Sequence, residues 1–231
     1  GVSQSAKEIG ATGYTFSAVR VTAGSAEKVR IKSVRWNQSG SAAAADLTNT
    51  KTYVSDVAYD TTVSSDGKYY TATLGDGVVV DKGANVEIAI KGDIAGGSGR
   101  TIDFDLYKTT DLYVTGETYG YGITPPNGTD EAGTDDGAFH LSTNPWYDAF
   151  QVTVSNGTLN VEKATSIAAQ NIAINLSNQP LGAFEVNVKG EPVSVSRIGF
   201  NITLGSEGAN DDVDDITNIV LVDEAGAVIA G

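Results

Sequence analysis

Apolar and polar residues alternate in short runs along most of this chain. A period of two commits such runs to β-structure, because successive side chains of an extended strand point to opposite faces. Residues 29–36 (Val-Arg-Ile-Lys-Ser-Val-Arg-Trp) alternate with a slip at Ser33 that predicts a bulge. Runs 86–90, 102–106, 150–154, 172–176, 184–188 and 193–195 alternate in the same way. Turn signals separate them: Ser-Asp-Gly at 65–67, Gly-Asp-Gly at 75–77, and Asn-Gly at 127–128 and 156–157. The last predicts a tight hairpin joining 152–154 to 159–161. Helical periodicity is nearly absent, and Ser41 with the four alanines after it reads as a loop. Short strands at roughly 8–12-residue spacing predict an all-β chain of the sandwich type.

An internal repeat organises these strands. Residues 29–39 match 193–203, with Trp36 and Phe200, Asn37 and Asn201, and Ser39 and Thr203 in register. Asp46-Leu-Thr-Asn49 matches Asp215-Ile-Thr-Asn218 in the same order, and Phe16 and Phe184 open comparable strands upstream. We therefore expect one full Ig-like sandwich over 14–149, a bridging hairpin and strand over 150–181, and the start of a second copy over 182–231. Trp36 and Phe200 should both point into a core. Strands that complete the first copy, at 69–70, 86–90 and 102–106, have no counterpart after the second. The second copy is expected to be completed by further sequence or by another chain. Residues 1–13, with sparse apolar positions, read as a linker or a donated strand.

Charge and composition narrow the function. The net charge is −14 and the pI about 4.3, a balance that repels nucleic-acid phosphates and anionic lipid. No run approaches the roughly 18–20 apolar residues of a membrane helix. The chain has no cysteine, which excludes disulfides and thiolate metal sites, and no methionine. It opens on Gly1 without a charged-then-apolar leader, the expectation for an exported mature chain or a piece of a longer one. Five Asn-x-Ser/Thr sequons occur, at Asn37, Asn127, Asn156, Asn175 and Asn201.

Catalytic patterns are missing. His140 is the one histidine, and no nucleophile-elbow pattern accompanies it. It reads as a loop residue, and we expect no enzyme. Asp103 and Asp105 flank Phe104, a spacing that puts both carboxylates on one face of a strand about 7 Å apart. A glycosidase pair could use that spacing, but the polar face of a half-buried strand explains it more simply. The run Asn210-Asp-Asp-Val-Asp-Asp215 concentrates oxygen donors. Asp211, Asp212, Asp214 and Asp215 are the residues expected to bind Ca²⁺, a hard cation that takes 6–8 oxygen ligands. Asp130, Glu131, Asp135 and Asp136 form a second, weaker acidic group. Tyr119, Tyr121 and Trp146 are the aromatic side chains placed to stack on a surface glycan.

The order Gly157-Thr-Leu-Asn-Val161, Ala169-Gln-Asn171, Leu181-Gly-Ala-Phe184-Glu-Val186 resembles the joint between repeats of bacterial cell-surface and surface-layer proteins. The Asp-Leu/Ile-Thr-Asn motif resembles the same group. Those proteins string Ig-like β-sandwiches one after another, and the resemblance covers most of 14–106 and 150–231. It implies an extracellular or cell-surface structural protein that forms a homo-oligomer or polymer. The expected function is a subunit or segment of a self-assembling surface layer, sheath or filament. An adhesion or carbohydrate-binding module, including a viral fibre or capsid-decorating protein, is the alternative. Neither nucleic acid nor membrane insertion is expected.

Overall fold

The computed structural model describes residues 5–131, 133–168, 171–173, 175–190, 192–203 and 216–231. They fall in two compact units, residues 1–193 and 194–231. The chain is all-β and sandwich-like, with two single-turn 3₁₀ segments, Ala44–Asp46 and Thr109–Asp111, among the described residues. No helix among them is long and apolar enough to cross a membrane.

In the first unit the strands are β1 (Ser5–Glu8), β2 (Tyr14–Thr22), β3 (Val29–Gln38), β4 (Leu47–Val54), β5 (Val57–Val63) and β6 (Tyr69–Val80). There follow β7 (Asn85–Ile94), β8 (Thr101–Ile102), β9 (Phe104–Asp105), β10 (Leu112–Gly116) and β11 (Gly122–Ile123). Then come β12 (Ala138–Phe139), β13 (Tyr147–Asp148), β14 (Val152–Ser155), β15 (Thr158–Lys163) and β16 (Phe184–Lys189). The main sheet runs β11-β10-β3-β6-β5-β4-β7-β2, with β9 also on β3. Strand β5 pairs with β4 on one side and β6 on the other, and the sheet curls through it. The apolar faces meet around Phe16, Trp36, Tyr70, Ile88, Ile90 and Phe104. Phe104 receives Tyr70 edge-on at 4.9 Å and packs against Phe16 at 5.5 Å.

The slip at Ser33 is a register break. Buried apolar positions on β3 are odd-numbered before it, at Val29 and Ile31, and even-numbered after it, at Val34 and Trp36. Pairing with both neighbours shifts there, against β6 between Ile31 and Ser33 and against β10 at Tyr113/Val114. The extra residues lie on β6, where Thr73 faces Ser33 and Val78 faces Ile31. Gly75-Asp76-Gly77 is therefore a bulge inside a long strand and not the chain reversal its composition suggests. Gly75 and Gly77 sit at φ of 59° and 94°, where a side chain would be strained. The Asp76 carbonyl accepts hydrogen bonds from Arg30 Nη1 and Lys32 Nζ, both at 3.0 Å.

Two expectations fail around β14. The 152–161 hairpin does not form: β14 lies between β1 and β8, so its hydrogen-bonding edges are taken, and β15 pairs with β16 instead. Val152 and Val154 are fully buried in that position. The segment read as a linker or donated strand also has a place in its own unit. Ser5 to Glu8 pair in parallel with Val152 to Ser155, and Ile9 joins the core.

In the second unit β17 (Leu221–Val222) and β18 (Val228–Ala230) form a short antiparallel hairpin. Asn218 has a φ of 56°, matching the 51° of Asn49 at the same place in the Asp-x-Thr-Asn motif. The strand expected over 193–203 is absent, and Phe200 is 52% exposed where Trp36 is fully buried. A β-branched run makes a strand only where a neighbour accepts its ladder, and residues 193–203 take no strand conformation. The described part of 172–176 is likewise outside any strand.

Candidate functional site

Three aspartates converge at one end of the first unit. Asp103 lies in the break between β8, which pairs with β14, and β9, which pairs with β3. Because the chain changes partners at Asp103, residues 102–106 are not one regular strand. Asp103 and Asp105 do not form the solvent-facing polar edge their spacing suggests: both are buried, and so is Phe104 between them. Asp148, at the end of β13, comes beside them because Leu106 and Tyr147 exchange backbone hydrogen bonds at 3.1 and 3.0 Å. A carboxylate oxygen from each of Asp103, Asp105 and Asp148 lies within 4.8 Å of the other two, and all three residues are buried.

Local hydrogen bonds hold part of this arrangement. Asp105 accepts from Ala149 N–H at 2.9 Å through Oδ1 and from Ser39 Oγ at 2.7 Å through Oδ2. Asp103 is fixed by its backbone: its N–H donates to Gln38 Oε1 at 3.2 Å and its carbonyl accepts from Ser39 N–H at 3.0 Å. Its side-chain Oδ1 is buried without a hydrogen-bond partner. Beside this triad stand Asp136 and His140, which with Asp148 make a second group within 4.8 Å. His140 is buried; the carbonyl of Pro145 can only accept, so Nδ1, 3.1 Å away, carries the hydrogen. Nε2 then accepts from Gly133 N–H at 3.4 Å and lies 3.3 Å from Asp136 Oδ2.

The electrostatics are unfavourable for bare carboxylates. Burial, then the neighbouring charge of Asp105, pushes the Asp103 carboxyl up to about 9. Burial and the same neighbour raise Asp148 to about 6. Burial also raises Asp105, against the hydrogen bonds it accepts. Elsewhere this protein pairs a buried carboxylate with a cation: Asp111 meets Arg35 at 2.5 Å. Among the described residues none of Asp103, Asp105 and Asp148 has an ion pair with Lys or Arg.

No family model, curated protein or solved structure matches this chain. The remaining site residues expected from sequence are distributed as follows. Asp211, Asp212, Asp214 and Asp215 lie outside the described residues. Within the acidic group at 130–136, Asp136 joins the second triad and Asp135 lies close enough to raise Asp103, whereas Asp130 and Glu131 are exposed. His140 is a buried member of a polar cluster and not an open loop residue. Trp146 cannot stack on a glycan: it is buried, with its ring 4.8 Å from Phe139. Tyr119 and Tyr121 are open, at 72% and 77% exposure, where the chain turns from β10 into β11. The one sequence signal for the triad is the Asp-x-Asp spacing; nothing local marks Asp148, 43 positions beyond Asp105.

Proposed function

We propose that this chain is a structural, non-catalytic subunit or segment of an extracellular surface layer, sheath or filament built from Ig-like repeats. The observation that supports it is a core pattern displayed at the surface. Phe16, Val29, Ile31, Val34 and Trp36 are buried, whereas the residues that match them in sequence, Phe184, Val193, Val195, Ile198 and Phe200, are 44–55% exposed. Ile219, Val220 and Val222 are exposed too. Apolar surface in water forgoes about 25 cal/mol per Å² of stabilisation, and large exposed apolar side chains gain by contact with another chain. In this reading that chain is another molecule carrying the same repeat, added strand to strand.

Self-association is the expected outcome when concentration is raised. Sedimentation and negative-stain microscopy should show oligomers or polymers, and Val195→Ser with Ile198→Ser should shift them toward monomer. A wild-type chain that stays monomeric throughout would defeat this reading. The exposed Tyr119–Tyr121 pair favours a second one, a carbohydrate-binding module. That reading expects a monomer that binds a glycan array and loses the signal in Tyr119→Ala/Tyr121→Ala.

A further inference from the structure

We infer that Asp103, Asp105 and Asp148 form a binding site for one Ca²⁺ ion, separate from the acidic run at 211–215. The geometry comes first. Calcium–oxygen distances are about 2.3–2.6 Å, so two oxygens on one ion stand at most about 5 Å apart. The three carboxylates meet that limit, with a ligand oxygen from each within 4.8 Å of the others. They also come from two elements fixed to each other, the β8–β9 segment and β13, which join through the Leu106–Tyr147 hydrogen bonds.

The second observation is unmet demand. Asp103 is 4% exposed, and its Oδ1 has no hydrogen-bond partner. A buried carboxylate oxygen without a donor costs the protein its desolvation, and no lysine or arginine among the described residues pairs with the triad. A divalent cation supplies Asp103 Oδ1 with the partner it lacks and, in displacing the Asp103 proton, offsets the repulsion among the three carboxylates. Asp105 keeps the capacity to bind it, because each of its oxygens accepts one protein hydrogen bond and has a second lone pair.

The donor set chooses the ion. Oxygen donors alone suit a hard cation. Magnesium demands near-octahedral geometry at about 2.0–2.1 Å and sheds water reluctantly. Calcium tolerates irregular coordination, which suits carboxylates held by a strand break. The nitrogen of His140 belongs to the neighbouring group with Asp136, not to this triad.

The test uses the full chain, stripped with chelator. The acidic run is neutralised in the background variant Asp211→Asn/Asp212→Asn/Asp214→Asn/Asp215→Asn. Titration calorimetry should find one Ca²⁺ per chain in that background, and saturating Ca²⁺ should raise the melting temperature by roughly 5 °C or more. Equal Mg²⁺ should give less than half that rise. Adding Asp105→Asn/Asp148→Asn should abolish binding, and Asp103→Asn alone should weaken it at least tenfold; the single change keeps the test open if the double variant does not fold. Four results would each overturn the site: no Ca²⁺ bound in the background variant, unchanged affinity in Asp103→Asn, equal stabilisation by Mg²⁺, or preference for Zn²⁺.

Discussion

Stripped of divalent cations, the protein is expected to lose stability steadily as the pH rises from about 4 to about 9. The cause is the proton on Asp103. In the unfolded chain this carboxyl ionises near its ordinary 3.8, whereas in the folded protein burial and then the Asp105 charge hold it up to about 9. Between those values the folded state binds a proton that the unfolded state has released, so raising the pH favours unfolding. The stabilisation is present in acid and is lost as the pH climbs through the folded value. Asp148, raised to about 6, and Asp105, also raised, act in the same direction. The groups facing Asp103 are Asp105 on β9, Asp148 on β13, and Asp135 from the preceding loop; Tyr147 on β13 and His140 and Asp136 stand close by. Asp93 and Glu117 oppose the trend only at the acid end, where Asn49 and Arg30 hold their carboxyls below the usual range.

Each unit of pKa displacement is worth about 1.4 kcal/mol, and about 1 kcal/mol moves the melting temperature of a chain this size by roughly 2–4 °C. The melting temperature in chelator is therefore expected to fall between pH 5 and pH 9. Asp103→Asn should flatten that profile and raise the melting temperature in chelator at pH 8. Thermal melts across the range decide the matter, and a flat or rising wild-type profile would refute the assignment. A substitution that stabilises the stripped protein while weakening its cation affinity is the signature of a position retained for binding.

The second large effect belongs to the core. Trp36→Ala should cost about 3–5 kcal/mol, because it empties a fully buried site that the neighbouring strands cannot collapse to fill. The indole faces Tyr70 across the β3–β6 ladder, and its Nε1–H donates to Thr52 Oγ1 at 3.0 Å. Trp36→Phe keeps most of the packing but removes the donor and part of the ring volume, so a loss of about 1–2 kcal/mol is expected. Phe200→Ala, at the position that matches Trp36 in sequence, should cost under about 1 kcal/mol, since its ring is half exposed. Chemical denaturation followed by circular dichroism measures all three. A Trp36→Ala loss below 1 kcal/mol would mean that this ring is not a centre of the core.

How much was legible in the sequence follows from the range of the forces involved. Period-two alternation is local, so β3, β7 and β16 stand where Val29, Val86 and Phe184 begin their runs, and the slip at Ser33 marks a true irregularity. Pairing is not local. Nothing near Asn156-Gly157 tells that β14 is claimed by β1 and β8, so a good turn dipeptide does not make a hairpin there. Gly75-Asp-Gly77 misleads for a related reason: positive φ serves a bulge as well as a turn. The aspartate triad lies beyond sequence reasoning because its third member arrives through the Leu106–Tyr147 pairing. Charge density marks residues 211–215 in the sequence, whereas what marks the triad is burial, which composition does not carry.

The parallel pairing of β1 with β14 gives the first unit a mechanical character. The two strands run in the same direction, with Ser5 beside Val152 and Glu8 beside Ser155. Tension entering before Ser5 and leaving after Ser155 would slide one strand along the other. All the hydrogen bonds of that ladder would then bear the load together, whereas an antiparallel pair pulled from its open end gives way one bond at a time. Everything from β2 to β13 lies between these strands in the chain and is shielded from the pull until the ladder shears. The folded unit would thus carry force along a short path through eight residues, among them the core positions Val152 and Val154.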